Sequence, residues 1–171
     1  PNLLKFMQEH FRTAITVPII DIGQKKITYS WYHRFTGLMF SHHVIGTFQY
    51  LTGCCLLVDQ RITSGGLFDE NFFMYGEDVE LCWRLRRSGW EIECVKEATV
   101  FHEGVGSSRQ GGYFYEYHMA RGHILLARKL TKRRGEIPFL YIGRLLTLSA
   151  RAFLRANRFR SMIPIMAWST A

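Results

Sequence analysis

The stretch from Gly65 to Trp90 places the strongest constraint on the fold of this chain. Its aromatic segment, residues 72–75 (Phe-Phe-Met-Tyr), leads through one glycine into the adjacent carboxylates Glu77 and Asp78. Apolar residues then recur at three-residue steps as far as Gly89, which predicts a helix with a glycine C-cap. Acids are common in the first helical turn because they complement the helix macrodipole. The pair is therefore explained equally well by helix capping and by a functional carboxylate.

The charge of the chain is concentrated in its second part. The 171 residues are 47% hydrophobic, which is ample for a core, and one domain is expected. Residues 1–103 hold 10 Lys and Arg against 12 Asp and Glu, whereas residues 104–171 hold 12 against 2. On charge alone, such a basic and apolar tail suits an anionic membrane surface or nucleic acid.

The cysteines and the first residue place limits on the type of protein. Four cysteines, at positions 54, 55, 82 and 94, lack a Cys-x-x-Cys spacing, which predicts buried free thiols in a reducing compartment. We expect Cys54 and Cys55 to point to opposite faces of a strand. The sequence begins at Pro1 without a signal-type segment, so we expect a piece of a longer protein or a processed chain.

Hydrophobic periodicity predicts alternating helices and strands, that is, an α/β fold. We predict helices at residues 1–10, 113–130 and 137–159, and strands at 14–20, 25–30, 49–59, 90–94 and 98–101. Pro18 indicates an edge strand or a strand end. Residues 31–48 are expected to be mostly loop, and Gly104 to Ser108 a flexible polar loop able to fold over a ligand.

Three segments carry a resemblance to a known family. They are residues 50–58 (Tyr-Leu-Thr-Gly-Cys-Cys-Leu-Leu-Val), 73–84 (Phe-Met-Tyr-Gly-Glu-Asp-Val-Glu-Leu-Cys-Trp-Arg) and 100–103 (Val-Phe-His-Glu). In this order they resemble family 2 inverting glycosyltransferases, especially the rhamnosyltransferase-like members. The resemblance implies that residues 1–112 are the acceptor-side part of a GT-A fold with a mixed sheet. Residues 113–171 would then be a basic tail of amphipathic helices.

The resemblance also implies roles for individual residues. Asp78 would be the general base that takes the proton of the acceptor hydroxyl, and Glu77 would hold the acceptor or the backbone in register. His102 matches the histidine that completes the shell of a divalent metal, Mg²⁺ or Mn²⁺, at the leaving diphosphate; a capping or core histidine is the alternative. The residues expected to contact substrate are Thr52, Gly53, Tyr75, Trp83 and Arg84. Packing explains Trp83 at least as well, and an ion pair with Glu80 explains Arg84 nearly as well.

The implied partners are a nucleotide-sugar donor and a saccharide or lipid-linked acceptor, in the synthesis of cell-surface polysaccharide. One departure from the family is serious, because the chain has no Asp-x-Asp motif to bind the metal and no glycine-rich phosphate loop. The donor-binding strands that precede that motif are missing too. We therefore expect this chain to be inactive by itself, and to self-associate through an uncovered strand edge.

Two other classes of function compete with this interpretation. A metal-dependent hydrolase would use Asp78 and His102 with His42 or His43, but neither these nor His33 has the spacing of a three-ligand site. A non-catalytic module that binds membrane or nucleic acid is the second alternative. No apolar run reaches the roughly 20 residues of a spanning helix. Because arginines alternate with Leu and Phe at helical spacing in residues 137–159, we expect a bilayer interface rather than nucleic acid. The expected location is cytoplasmic, peripheral on the inner face of the cell membrane.

Overall fold

A computed structural model describes residues 1–103 and 109–171 of the chain. The predicted polar loop at 104–108 lies outside the described residues. The helices are α1 (Asn2–Glu9), α2 (Glu77–Arg87), α3 (Tyr113–Lys129), α4 (Ile137–Phe159) and α5 (Ile163–Thr170). The strands are β1 (Thr13–Asp21), β2 (Lys26–Ile27), β3 (Ser30–His33), β4 (Met39–Phe40), β5 (Thr47–Tyr50), β6 (Leu57–Val58) and β7 (Glu91–Phe101). The predicted α/β class is confirmed.

The main sheet is mixed and is built around β1. This strand pairs in parallel with β7 along its whole length, and antiparallel with the short strands β2 and β6. The prediction that Pro18 marks an edge or an end is wrong, since Pro18 lies inside this central strand. The β1–β7 ladder shifts register directly after Pro18, and an irregularity of this kind accommodates a residue without an N–H. The same shift joins the two strands predicted at 90–94 and 98–101 into one.

A second, three-stranded antiparallel sheet has the order β4-β3-β5 and occupies the stretch expected to be loop. It also corrects the prediction of one buried strand at residues 49–59. The chain leaves β5 at Tyr50, turns at Gly53 and Cys54, and enters the main sheet as β6. The apolar run is therefore shared between two sheets, and the turn between them lies next to the first turn of α2.

Helix α2 packs its apolar side into the core between the two sheets and α3. Val79, Leu81, Cys82 and Leu85 are all buried in a cluster with Ile15, Tyr32 and Leu126. All four cysteines are free, but Cys54 is exposed at the turn and only Cys82 and Cys94 are buried. The expectation that Cys54 is a buried thiol on a strand is wrong for this reason.

Helix α4 is apolar on both its buried and its exposed side, and its buried side includes an arginine. Its buried side carries Leu140, Arg144, Leu148 and Ala152, four residues apart and therefore on one face. Arg144 is only 1% exposed. One arginine of the predicted amphipathic helix therefore faces the protein interior. By length and composition alone, one stretch of the described residues, Arg134–Phe159, is apolar enough to cross a membrane.

Candidate functional site

A tight turn before α2 sets the position of the two adjacent acids. Tyr75 and Gly76 both have positive φ angles, 66° and 98°, so two successive left-handed residues reverse the chain immediately before Glu77. For a tyrosine this conformation costs on the order of 1 kcal/mol, and packing must hold it in place. Helix α3 provides that packing, because a Cβ atom on Gly122 would collide with the Tyr75 carbonyl oxygen.

The turn opens into a cavity of about 200 Å³ between α2, α3 and the smaller sheet. Glu77 and Asp78 form one part of its wall, and most of the remaining wall is aromatic or apolar. Four tyrosines contribute to it: Tyr32, Tyr50, Tyr75 and Tyr115. A mostly apolar cavity with a few convergent polar groups is the usual form of a small-ligand site.

Asp78 is half-buried, and backbone amides hold its carboxylate. The N–H of Val79 donates to Oδ1 at 2.8 Å, and the N–H of Gly53 donates to Oδ2 at 3.3 Å. Burial, followed by the charge of Glu77, raises the pKa of the Asp78 carboxyl from 3.8 to about 6. A carboxylate with this pKa is largely ionised at neutral pH and is still a stronger base than an ordinary aspartate.

Glu77 shares the cavity wall but is held differently. Its buried Oε2 atom has no hydrogen-bond partner among the described residues. An unpaired buried carboxylate oxygen costs free energy, on the order of 1–3 kcal/mol, unless a ligand or ordered water satisfies it. This oxygen is therefore available to a donor group of a molecule bound in the cavity.

His123 on α3 is a cavity residue that the sequence analysis missed. Its Nδ1 lies 2.8 Å from the Tyr32 hydroxyl, and the two rings are stacked at 5.8 Å. Burial, followed by the nearby charges of Arg144 and Arg151, lowers the pKa of His123 from 6.5 to about 3, so the ring is neutral. A signal existed in the glycine that precedes it, because Gly122 inside a helical pattern indicates a close backbone approach.

Comparison with known proteins relates this chain to glycosyltransferases. Over 120 residues the chain is 33% identical to N-acetylglucosaminyl-diphospho-decaprenol L-rhamnosyltransferase of Mycobacterium tuberculosis, covering 66% of this chain and 39% of the relative. It is 24% identical over 90 residues to a low-salt glycan biosynthesis hexosyltransferase of Haloferax volcanii, covering 52% of this chain and 29% of that protein. The chain is a distant homologue of glycosyltransferases. It spans about two-fifths of the length of the mycobacterial relative. No protein-family model matches it, and no solved structure matches it significantly.

The structure brings four of the residues predicted for the glycosyltransferase site close together. Asp78, Glu77 and Tyr75 line the cavity. Gly53 contacts Asp78 through its N–H group, and a Cβ on Gly53 would lie 3.4 Å from the Asp78 Cβ. Thr52 directly precedes this contact and is half-buried.

Trp83 and Arg84 lie outside the cavity wall. Trp83 is 7% exposed and packs in the core, with its ring 4.9 Å from that of Phe48. Arg84 lines a different, open pocket and forms an ion pair with Glu80 at 3.1 Å. Its Nη2 also donates to the Leu67 carbonyl at 2.7 Å. The contacts of Trp83 are those of a packing residue, and the contacts of Arg84 are those of an ion pair with Glu80. These were the alternatives to a substrate contact.

His102 follows the last residue of β7 and is exposed, with its N–H donating to the Asp21 carbonyl at 2.8 Å. It is not among the residues that line the cavity. Within residues 1–103 and 109–171, no group of three or more His, Cys, Asp or Glu side chains is arranged to hold a metal ion. The described part of the chain therefore does not form a metal site by itself, and the role of His102 stays a prediction.

Proposed function

We propose that this chain is the acceptor-side portion of a family 2, GT-A-fold inverting glycosyltransferase, with Asp78 as its general base. The observation that carries the proposal is the Asp78 carboxylate: it lines a cavity, two backbone amides fix it, and its pKa is raised to about 6. Perturbed carboxylates in a cleft are typical of catalytic groups. Because the chain is related to glycosyltransferases, the reaction that we propose for Asp78 is glycosyl transfer.

The proposed step is a single displacement at the anomeric carbon of the donor sugar. The acceptor oxygen forms the new bond as the bond to the nucleoside diphosphate breaks, and the electron pair leaves with the diphosphate. Asp78 accepts the proton of the attacking hydroxyl, for which each of its oxygens has a further lone pair. Glu77 Oε2 accepts a hydrogen bond from a second hydroxyl of the acceptor and so orients the ring.

In the proposal, most of the groups that bind the diphosphate of the donor come from outside this chain. A divalent metal, Mg²⁺ or Mn²⁺, would stabilise the leaving diphosphate as a Lewis acid. In the proposal His102 contributes one ligand, and the rest come from an Asp-x-Asp motif that this sequence does not contain. Nothing in the described residues substitutes for that motif, so no step of the proposed chemistry depends on a metal held by this chain.

The acceptor is proposed to be a saccharide on a lipid carrier. The mycobacterial relative is named for an acceptor of this type, N-acetylglucosamine linked through a diphosphate to decaprenol. The archaeal relative is named for glycan biosynthesis. A lipid-linked acceptor requires the protein to work at a membrane, and we propose the cytoplasmic face of the cell membrane as its location.

The test is the Asp78→Asn variant of the complete gene product, assayed for transfer from a nucleotide-sugar donor. Loss of a general base lowers rates by about 10²–10⁴-fold, and we expect a loss in this range. The wild-type kcat/KM should rise with pH through about 6, following ionisation of Asp78. Glu91→Gln, an exposed acid on β7, is the matched control and should retain activity. Unchanged turnover in Asp78→Asn would exclude the mechanism.

A further inference from the structure

The helices at the end of the chain carry a large exposed apolar surface. On α4 and α5, and in the turn between them, eight large apolar side chains are between 50% and 71% exposed. We define this apolar face as Phe139, Ile142, Leu145, Leu146, Phe153, Leu154, Met162 and Met166. Eight exposed large apolar side chains on two helices in contact with each other indicate an interaction site.

Hydrogen bonds and ion pairs fix which side of α4 faces outward. Arg144 donates from Nη2 to the Arg34 carbonyl at 2.8 Å, and Thr147 donates to the Thr36 carbonyl at 2.6 Å. Arg151 and Arg155 both form ion pairs with Glu116, which is 1% exposed. Rotating the apolar face inward would break all of these contacts and leave buried charges unpaired. The outward direction of the apolar face is therefore a stable property of the fold.

The charges around the apolar face are positive. Exposed cations lie at both ends of α4, at residues 132–134 and at Arg158 and Arg160. Residues 109–171 contain only two acids, Glu116 and Glu136, and both are ion-paired with arginines. An apolar surface bordered by cations, without an exposed acid of its own, is complementary to anionic lipid headgroups above acyl chains.

The contacts of α4 also decide between lying on a membrane and crossing it. Although the helix is long enough to span, a spanning position would detach its inner face from the protein. It would then place Arg144, Arg151 and Arg155 in hydrocarbon without partners, which is costly. The helix can remain on the protein and meet lipid at the same time only if it lies in the plane of the interface.

We propose that the apolar face docks on the surface of an anionic bilayer, with α4 parallel to the membrane plane and its arginine-bearing side turned towards the protein. This inference names the membrane partner of the proposed function and explains how a lipid-linked acceptor would be met. Its physical basis is independent of catalysis, because none of the residues of the apolar face lines the Asp78 cavity.

The experiment is flotation of the complete gene product with vesicles of phosphatidylcholine, with and without phosphatidylglycerol. The test variant is Leu146→Glu with Leu154→Glu, which places acids in the middle of the apolar face. The matched control is Phe11→Glu with Ile45→Glu, at apolar residues that are 77% and 90% exposed elsewhere on the protein. We expect the wild type and the control to float with the anionic vesicles, and the test variant to bind at least tenfold more weakly.

Each other outcome overturns a defined part of the proposal. Equal binding of the test variant and the wild type would exclude the apolar face as the docking surface. Binding that is indifferent to phosphatidylglycerol would exclude the role of the cations. If the wild type is a dimer and the test variant is a monomer, the apolar face is covered by a second copy. If neither the wild type nor the control floats, the apolar face is covered by another part of the chain. Circular dichroism establishes that both variants are folded. Asp78→Asn should float like the wild type, so failure of the catalytic proposal can be recognised separately.

Discussion

Two carboxylates, Asp78 at the start of α2 and Glu116 in the first turn of α3, are surrounded by protein in very different ways. Glu116 is 1% exposed and is neutralised by two arginines, with Arg151 at 2.7 Å and Arg155 at 2.6 Å. Within residues 1–103 and 109–171, no cationic side chain is hydrogen-bonded or ion-paired to Asp78, and its nearest charged neighbour in the chain is another acid, Glu77.

The comparison shows how the partners of an acid distinguish a structural role from a functional one in this protein. An acid that is paired with arginines and only 1% exposed holds helices together and is out of reach of a ligand. An acid that is half-buried without a cation makes the fold less stable, and such a cost persists mainly where the group has a function. Because both acids lie in first turns of helices, their position along the helix cannot separate the two roles.

The largest effect on stability is expected at the paired acid. Glu116→Gln should lower the free energy of unfolding by about 3 kcal/mol, because it leaves the partly buried guanidinium groups of Arg151 and Arg155 without the counter-charge of a buried acid. Denaturant unfolding measures this loss. Adding Arg155→Met to the variant should recover part of it in a double-mutant cycle. A loss below about 0.5 kcal/mol would show that the pairing is no stronger than a surface ion pair.

At Asp78, the acid without a cationic partner, we expect a substitution to raise the free energy of unfolding instead of lowering it. The folded state raises the pKa of Asp78 from 3.8 to about 6, so the folded protein binds this proton more tightly than the unfolded chain does. The contribution of Asp78 to the stability of the fold is therefore greatest below pH 4. It falls as the pH rises to about 6 and stays low above that pH. Asp78→Asn should stabilise the protein by about 2 kcal/mol at pH 8 and by almost nothing at pH 4. If the variant is instead less stable at pH 8, the carboxylate serves mainly as a helix cap.

Sequence patterns predicted those parts of the molecule that local periodicity determines. The α/β class, helices α1 to α4 and strand β1 were predictable because each has the regular residue spacing of a helix or a strand. The split of residues 49–59 between two sheets was not, since a continuous apolar run suits one strand or two equally well. The turn at Gly53 coincides with a tertiary contact, the hydrogen bond from its N–H to Asp78, which no local pattern reveals.

The site was predictable to a similar extent. Asp78, Glu77, Tyr75 and Gly53 were recognisable because they belong to contiguous motifs. His123 was not, because it reaches the cavity from α3, 45 residues further along the chain than Asp78. The orientation of α4 was also hidden, since alternation of arginine and leucine does not show which side faces the protein. The buried acid Glu116, a tertiary partner, decides that Arg151 and Arg155 face inward.

The smallest effect on stability is expected at Glu80, an acid that is buried but paired with only one, partly exposed arginine. Glu80 on α2 is 5% exposed and is paired with one arginine, Arg84, whose side chain is 40% exposed. Arg84→Ala should cost about 1 kcal/mol of unfolding free energy, since the pair is only partly shielded from water. The KM for the acceptor should not change, because Arg84 lines a pocket other than the Asp78 cavity. Arg87→Ala, exposed on the same helix, controls for the loss of a positive charge. A tenfold rise in acceptor KM for Arg84→Ala alone would instead make Arg84 a substrate contact, and the acceptor site would then have to extend beyond the tyrosine-lined cavity.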